Sequence, residues 1–202
     1  EQYLGHGLPG PATELGQTSE RSTLGDYAAF LRGLVDISGI RPLKVVVDAG
    51  NGMGGYTVPA VLETAAGLPA LPLEIVPLYF ELDGTFPNHE ANPLDPKNLV
   101  DLQAAVVEHG ADLGLAFDGD ADRCFVVDEQ GQAVSPSAIT ALVGLREVAR
   151  ELAEGRTPTV IHNLITSRAV PDVLSAAGAT VVRTRVGHSF IKAKMAEHDA
   201  VF

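Results

Sequence analysis

Leu43-Lys44-Val45-Val46-Val47-Asp48-Ala49-Gly50-Asn51-Gly52-Met53-Gly54-Gly55 is the stretch that decides the fold. Its first half is a short apolar run of the kind that fills a strand buried on both faces of a parallel sheet. Its second half is a Gly-rich turn, and an apolar helix to about Ala66 follows. Strand, Gly-rich turn and helix open a βαβ unit. Upstream, Tyr27, Phe30, Leu31, Leu34 and Val35 recur at helical spacing behind Asp26, and the run ends near Gly39. Downstream the alternation continues: a strand over 73–80, an irregular Pro/Asn/Gly-rich stretch over 81–96, a helix over 98–109, and two strands, 112–117 and 124–128, across a short acidic loop. Ser135-Pro136 opens a long helix to about Leu152, followed by a strand at 159–162, a helix at 167–177, a strand at 180–184 and a helix at 189–197.

Strands separated by helices of this length predict the α/β class: α/β/α sandwich units with mostly parallel sheets, one complete domain and one truncated. Residues 1–22, rich in Gly, Pro, Thr and Ser without a period, read as a linker or tail. Residues 23–130 read as an α/β domain carrying the acidic loop, and 131–202 as a second α/β domain too short to complete its sheet. The chain opens on Glu1 and closes on the strand-like Ala200-Val201-Phe202, so a piece of a longer protein is expected.

Of 202 residues, 46% are hydrophobic and 20% charged, enough apolar content for a sizeable core. A formal net charge of -12 argues against a nucleic-acid partner, which needs clustered Lys and Arg. It leaves room for a phosphorylated small molecule, because a local field can oppose the net charge. The single cysteine, Cys124, leaves no internal disulfide framework and no Cys-rich zinc site. No apolar run approaches the ~20 residues needed to cross a bilayer, and no signal-peptide pattern opens the chain. A cytoplasmic protein without a membrane partner is expected.

The densest chemistry lies in Phe117-Asp118-Gly119-Asp120-Ala121-Asp122-Arg123. Carboxylates at every second position, spaced by Gly and Ala, converge on one point if the backbone is extended or gently turned. Left unpaired they repel one another; a hard divalent cation resolves the repulsion, and all-oxygen ligation suits magnesium or calcium. The loop follows a predicted parallel strand, where α/β proteins place their ligands. Three other readings stand beside this one. A solvated acidic turn needs only turn-forming Asp and Gly. An EF-hand would use Asp118, Asp120, Asp122 and Glu129, but has Arg123 where the sharp turn requires Gly, and predicted strands flank it. A phosphatase of the Asp-x-Asp-x-Thr kind, with Asp118 as nucleophile, would need Thr where Asp122 stands.

In this loop and in three further stretches the chain resembles the α-D-phosphohexomutase family. Asp118-Gly119-Asp120-Ala121-Asp122-Arg123 resembles its metal loop. Val46-Val47-Asp48-Ala49-Gly50-Asn51-Gly52 resembles the strand-turn that opens its second domain. Asp83-Gly84-Thr85-Phe86-Pro87-Asn88-His89 with Asn92-Pro93 resembles its long irregular loop. Thr184-Arg185-Val186-Gly187-His188-Ser189-Phe190-Ile191-Lys192 resembles a third-domain segment that meets substrate. The four stretches keep the family's order over about 45–195, and Ala121 leans toward its phosphomannomutase/phosphoglucomutase branch.

The resemblance implies an isomerase, an intramolecular phosphotransferase that interconverts the 6- and 1-phosphates of mannose or glucose through an enzyme phosphoserine and a hexose 1,6-bisphosphate. It implies Mg2+ on Asp118, Asp120 and Asp122, and Arg123 beside it, bound to phosphate or to a neighbouring aspartate. It implies His188 near the sugar as a general acid or base, the alternative being a residue that merely packs at a helix start. Ser167 and Arg168 fall where a substrate loop is plausible, with Asn163 and Thr166 beside them; Lys192 and Lys194 are candidate sources of positive potential. Asn51 and His89 read as structural, a left-handed turn residue and a loop anchor. The family's Thr/Ser-x-Ser-His-Asn-Pro serine loop, its Gly-Glu-x-x-Ser-Gly-His sugar loop and its Arg-x-Ser-Gly-Thr phosphate clamp do not occur here. The missing domains of a parent chain are therefore expected partners, and the 202 residues alone are expected to be inactive. The alternatives are a phosphoglucosamine mutase and a non-catalytic divalent-metal-binding module.

Overall fold

The computed structural model describes Gly10 and residues 16–202; most of the expected tail, 1–9 and 11–15, lies outside the described residues. The elements run α1 (Leu24–Leu34), β1 (Leu43–Asp48), α2 (Gly54–Val61), β2 (Leu73–Leu78), a 3-10 turn (Pro96–Leu99), α3 (Val100–His109), β3 (Leu113–Phe117), β4 (Cys124–Asp128), β5 (Ala133–Val134), α4 (Pro136–Ala153), β6 (Thr159–Asn163), α5 (Ala169–Ala176), β7 (Thr180–Thr184) and α6 (His188–His198). Five strands form one sheet in the order β2-β1-β3-β4-β5, and β6 and β7 pair in a second.

β1 is parallel to both its neighbours, β2 and β3. A central parallel strand is covered on both faces, and its valines divide accordingly. Val46 packs with Leu102, Ala105 and Val106 of α3. Val45 and Val47 turn the other way, onto Val58 of α2. β4 returns antiparallel to β3, as it must, since the six residues joining them are too few for a crossover. The acidic loop is therefore the tip of a hairpin. β5 extends this first sheet through Val134, past Gln130. In the second sheet β6 and β7 are parallel, and Val160 packs with Val148 of α4 and with Val170 and Leu174 of α5. Ser135 opens α4 with its hydroxyl accepting the Ala138 N–H, and Pro136 follows at the first helical turn. Val201 and Phe202 hydrogen-bond along β6.

Two expectations change. The periodic face of α1 is not core: only Ala28 is buried, while Phe30, Leu34 and Val35 are more than 60% exposed. The periodicity is real, but Ala28 is the one residue of the helix that becomes fully buried, with Leu31 half-buried beside it. α2 also stops at Val61, short of Ala66. Its end is capped from outside, where the Arg32 guanidinium of α1 donates to the carbonyls of Val61 (2.6 Å), Glu63 and Pro69. A cation on terminal carbonyls satisfies groups the helix leaves unpaired and complements its dipole. Arg32→Ala should therefore cost about 2 kcal/mol. That lowers the melting temperature by roughly 4–8 °C for a chain of this size. Arg21→Ala, which removes a largely exposed pair with Asp26, should leave it within about 2 °C. Equal shifts in calorimetry would refute the capping role.

Candidate metal centre

β1 and β3 end side by side, with Asp48 paired to Ala116, so the turn after β1 and the loop after β3 emerge together at the carboxyl end of the sheet. The loop closes on Asp118. Its carboxylate is 2% exposed and accepts twice from Arg123, from the backbone N–H at 3.0 Å and from Nε at 2.7 Å. Ala121 donates its N–H to the Asp118 carbonyl, and Ala121 itself has φ 60°, a left-handed conformation unusual for a residue with a Cβ. That twist turns the chain so that Asp118, Asp120 and Asp122 each offer an oxygen within 4.8 Å of the others. Asp118 forms the floor; Asp120 and Asp122 stand exposed at the mouth.

The charges are balanced unevenly. Burial works against ionising Asp118, but the Arg123 N–H and guanidinium outweigh it and hold the carboxyl below its ordinary range. The Asp120 carboxylate, with burial and Asp118 behind it, pushes Asp122 above the ordinary range. One positive side chain thus faces three negative ones, and the residual repulsion sits at the solvent side. This donor set, three converging carboxylate oxygens with a pair left uncompensated, fits a hard divalent cation such as Mg2+. The flanking elements are strands, not the helices an EF-hand requires. Arg123 holds Asp118 through Nε, the aspartate being one of the two partners expected for it.

The loop is braced by the turn after β1. Met53 donates its N–H to the Gly119 carbonyl at 2.9 Å. A Cβ on Gly52 would lie 2.6 Å from the same oxygen, so backbone meets backbone there. Asn51, at φ 60°, is the expected left-handed turn residue; its amide donates to the Glu81 carbonyl and accepts from Asn88. His89 anchors the irregular loop to Asp48 at 2.9 Å. Asn51, Tyr79, Phe86 and Ala121, four of the five described non-glycine residues with positive φ, lie in segments that meet at this end of the sheet. Backbone strain concentrates where surrounding structure fixes a special geometry. The sequence marks Asp48 only as part of the strand-turn.

His188, Ser167 and Arg168 are not joined to the acidic loop by any hydrogen bond or ion pair among the described residues. His188 opens α6 and is exposed, beside Arg185, whose guanidinium lies 3.3 Å above the centre of the Phe190 ring. The Ser167 hydroxyl accepts the Ala169 N–H at the start of α5, and its own N–H donates to Ser137. Arg168 faces Asp172 one turn on, both largely exposed. No helix among the described residues is long and apolar enough to cross a membrane.

Residues 26–131 match the family described as phosphoglucomutase/phosphomannomutase, alpha/beta/alpha domain II, and residues 135–202 match its domain III. The phosphomannomutase of Escherichia coli K12 is 38% identical over 194 residues, 96% of this chain and 41% of that protein. The phosphomannomutase/phosphoglucomutase of Pseudomonas aeruginosa PAO1 is 38% identical over 94% of this chain and 38% of its own length. The crystal structure of a phosphoglucomutase/phosphomannomutase family protein from Burkholderia thailandensis superposes with a TM-score of 0.77 at 34% identity, over 88% of this chain and 36% of that one. The chain thus spans about two fifths of the length of the curated relatives it matches.

Proposed function

Because this chain belongs to the phosphoglucomutase/phosphomannomutase family, we propose that it is the metal-binding part of a hexose-phosphate mutase, a cytoplasmic enzyme that interconverts mannose 6-phosphate and mannose 1-phosphate, or the glucose pair. The observation that carries this reading is the convergence of Asp118, Asp120 and Asp122 within 4.8 Å at the carboxyl end of a parallel sheet. These three carboxylates would hold Mg2+, which when bound neutralises charge on a transferring phosphoryl group. Arg123, fixed through Nε to Asp118, has its two terminal amino groups for phosphate oxygens, and fixing the guanidinium beforehand lowers the cost of orienting them. His188, exposed at the start of α6, would exchange a proton with a sugar hydroxyl. Ser167 and Arg168 would border the substrate less directly. The phosphoserine, the sugar-reading loop and the second phosphate clamp would come from the rest of the parent chain, with a hexose 1,6-bisphosphate as intermediate. The 202 residues alone would bind the cation without turnover.

The test is a coupled mutase assay on the gene product between its natural ends. Mannose 1-phosphate and glucose 1-phosphate are offered in parallel, with Mg2+ and a trace of the bisphosphate. Turnover is expected, and the ratio of the two rates names the sugar. Turnover on glucosamine phosphate alone would replace this reading with a phosphoglucosamine mutase; turnover on none would leave a metal-binding module.

A further inference from the structure

Asp48, which is not one of the three aspartates of the acidic loop, is buried to 1% exposure at the end of β1. Its Oδ1 accepts the Gly50 N–H at 2.8 Å and its Oδ2 faces His89 Nε2 at 2.9 Å. The other ring nitrogen, Nδ1, faces the Glu90 carbonyl at 2.9 Å. A carbonyl only accepts, so Nδ1 must carry a proton to bond there. Nε2 and Oδ2 then need a second proton between them, either on the ring as imidazolium or on the acid. Take that proton away, and the remaining one can serve only one end of the ring; the other end sets a lone pair against an oxygen.

The pair ties together the two segments that grip the acidic loop. Gly50 belongs to the turn whose Gly52 and Met53 touch Gly119. His89 belongs to the loop whose Phe86 and Ala91 side chains lie 3.4 and 3.8 Å from where a Gly119 Cβ would stand. Ala91 also lies within 3.4 Å of where a Gly50 Cβ would be, so turn and loop are packed as one body. Tyr79 meets the His89 ring edge-on at 5.3 Å and donates its hydroxyl to Asp101 of α3 at 2.7 Å.

We propose that Asp48 and His89 are positioning residues for the metal loop, and that the proton they share is what keeps its two supports clamped together. This rests on the acidic loop being the metal site. The clamp holds while the pair keeps that proton and loosens as pH rises and removes it. Among the described residues, the other titratable groups facing the pair are Tyr79 and Asp101. Burial, set against the His89 charge, raises the Asp48 carboxyl, which favours retention of the proton.

The test measures Mn2+ binding to the 202-residue chain by electron paramagnetic resonance over a pH series rising from about 6, above the ordinary range of carboxylates. Affinity should fall about tenfold across that series in the parent chain, the size typical of a lost support behind a metal ligand. Asp48→Asn should bind like the parent at the low end and stay flat. Its Oδ1 still accepts from Gly50, and its Nδ2 donates to a neutral His89 whose Nδ1–H keeps Glu90. His89→Ala should bind weakly throughout. A flat parent profile, or the same fall in Asp48→Asn, overturns the proposal whether or not His89→Ala folds. Asp120→Asn is the separate control: if it binds Mn2+ as the parent does, the metal-site reading itself fails and this inference goes with it.

Discussion

Asp120→Asn should weaken Mg2+ binding on the order of 100-fold, since cation affinity at such sites follows the number of charged oxygens. The same change should make the metal-free chain more stable. Asp120 is the chief cause of the raised carboxyl at Asp122, so without a cation the two repel in the folded state. Asp122, raised on folding, contributes stability that is fully present below its unfolded value and is lost as pH rises through the folded one. Asp118, lowered by Arg123, contributes stability present above the unfolded value and lost as pH falls through the folded one. Asp120→Asn should remove the first dependence and leave the second. Melting curves with and without millimolar Mg2+ read both effects. The parent chain should gain stability with Mg2+ as binding to the native state requires, and the variant should start higher and gain almost nothing. In the gene product between its natural ends, turnover should fall about a thousand-fold, the scale of one lost contribution to transition-state charge stabilisation. Asp118 is a poorer choice, because its loss also strands the Arg123 guanidinium. A variant that keeps the Mg2+ increment would remove Asp120 from the site.

What could be read from the sequence was whatever a single segment carries. Val45-Val46-Val47 declares a doubly covered strand, because a run without polar alternation has no solvent face to offer. Asp118, Asp120 and Asp122 declare convergence through their spacing. The hairpin that makes them meet follows from six residues between two strands. The exposure of Phe30, Leu34 and Val35 was not legible, since periodicity marks a face without saying what covers it. β5, two residues long, has no pattern to find. The end of α2 depends on Arg32, about thirty positions earlier, and the partner of Asp48 lies 41 positions away. Such pairs are set by tertiary packing and leave no local signal. The nearest hint was an aspartate closing a buried strand, where an ionisable side chain needs a partner. How His188, Ser167 and Arg168 relate to the acidic loop was not legible either, because motif order along a chain says nothing of distance between sheets.

Gly52→Ala should do more damage to the metal loop than any other single methyl group. Its Cβ would stand 2.6 Å from the Gly119 carbonyl oxygen and 2.9 Å from Gly119 Cα, closer than such atoms approach. Both neighbours are backbone, so no rotamer change relieves the clash. One of the two loops must move, and the Met53 N–H to Gly119 bond stretches or breaks with it. Overpacking of this kind costs about 3 kcal/mol, which lowers the melting temperature by roughly 6–12 °C. Gly119 lies between Asp118 and Asp120, so a shift there spreads the carboxylates, and Mg2+ affinity should fall at least about tenfold in protein that is still folded. Gly39→Ala separates this from a general effect of alanine, since nothing lies within 4 Å of its Cβ and its stability should change by less than about 0.5 kcal/mol. Should Gly52→Ala melt and bind Mg2+ as the parent does, the turn after β1 is not the support of the acidic loop. If it melts lower but binds unchanged, the contact holds the fold together and leaves the carboxylates to be positioned by Asp118 and Arg123 alone.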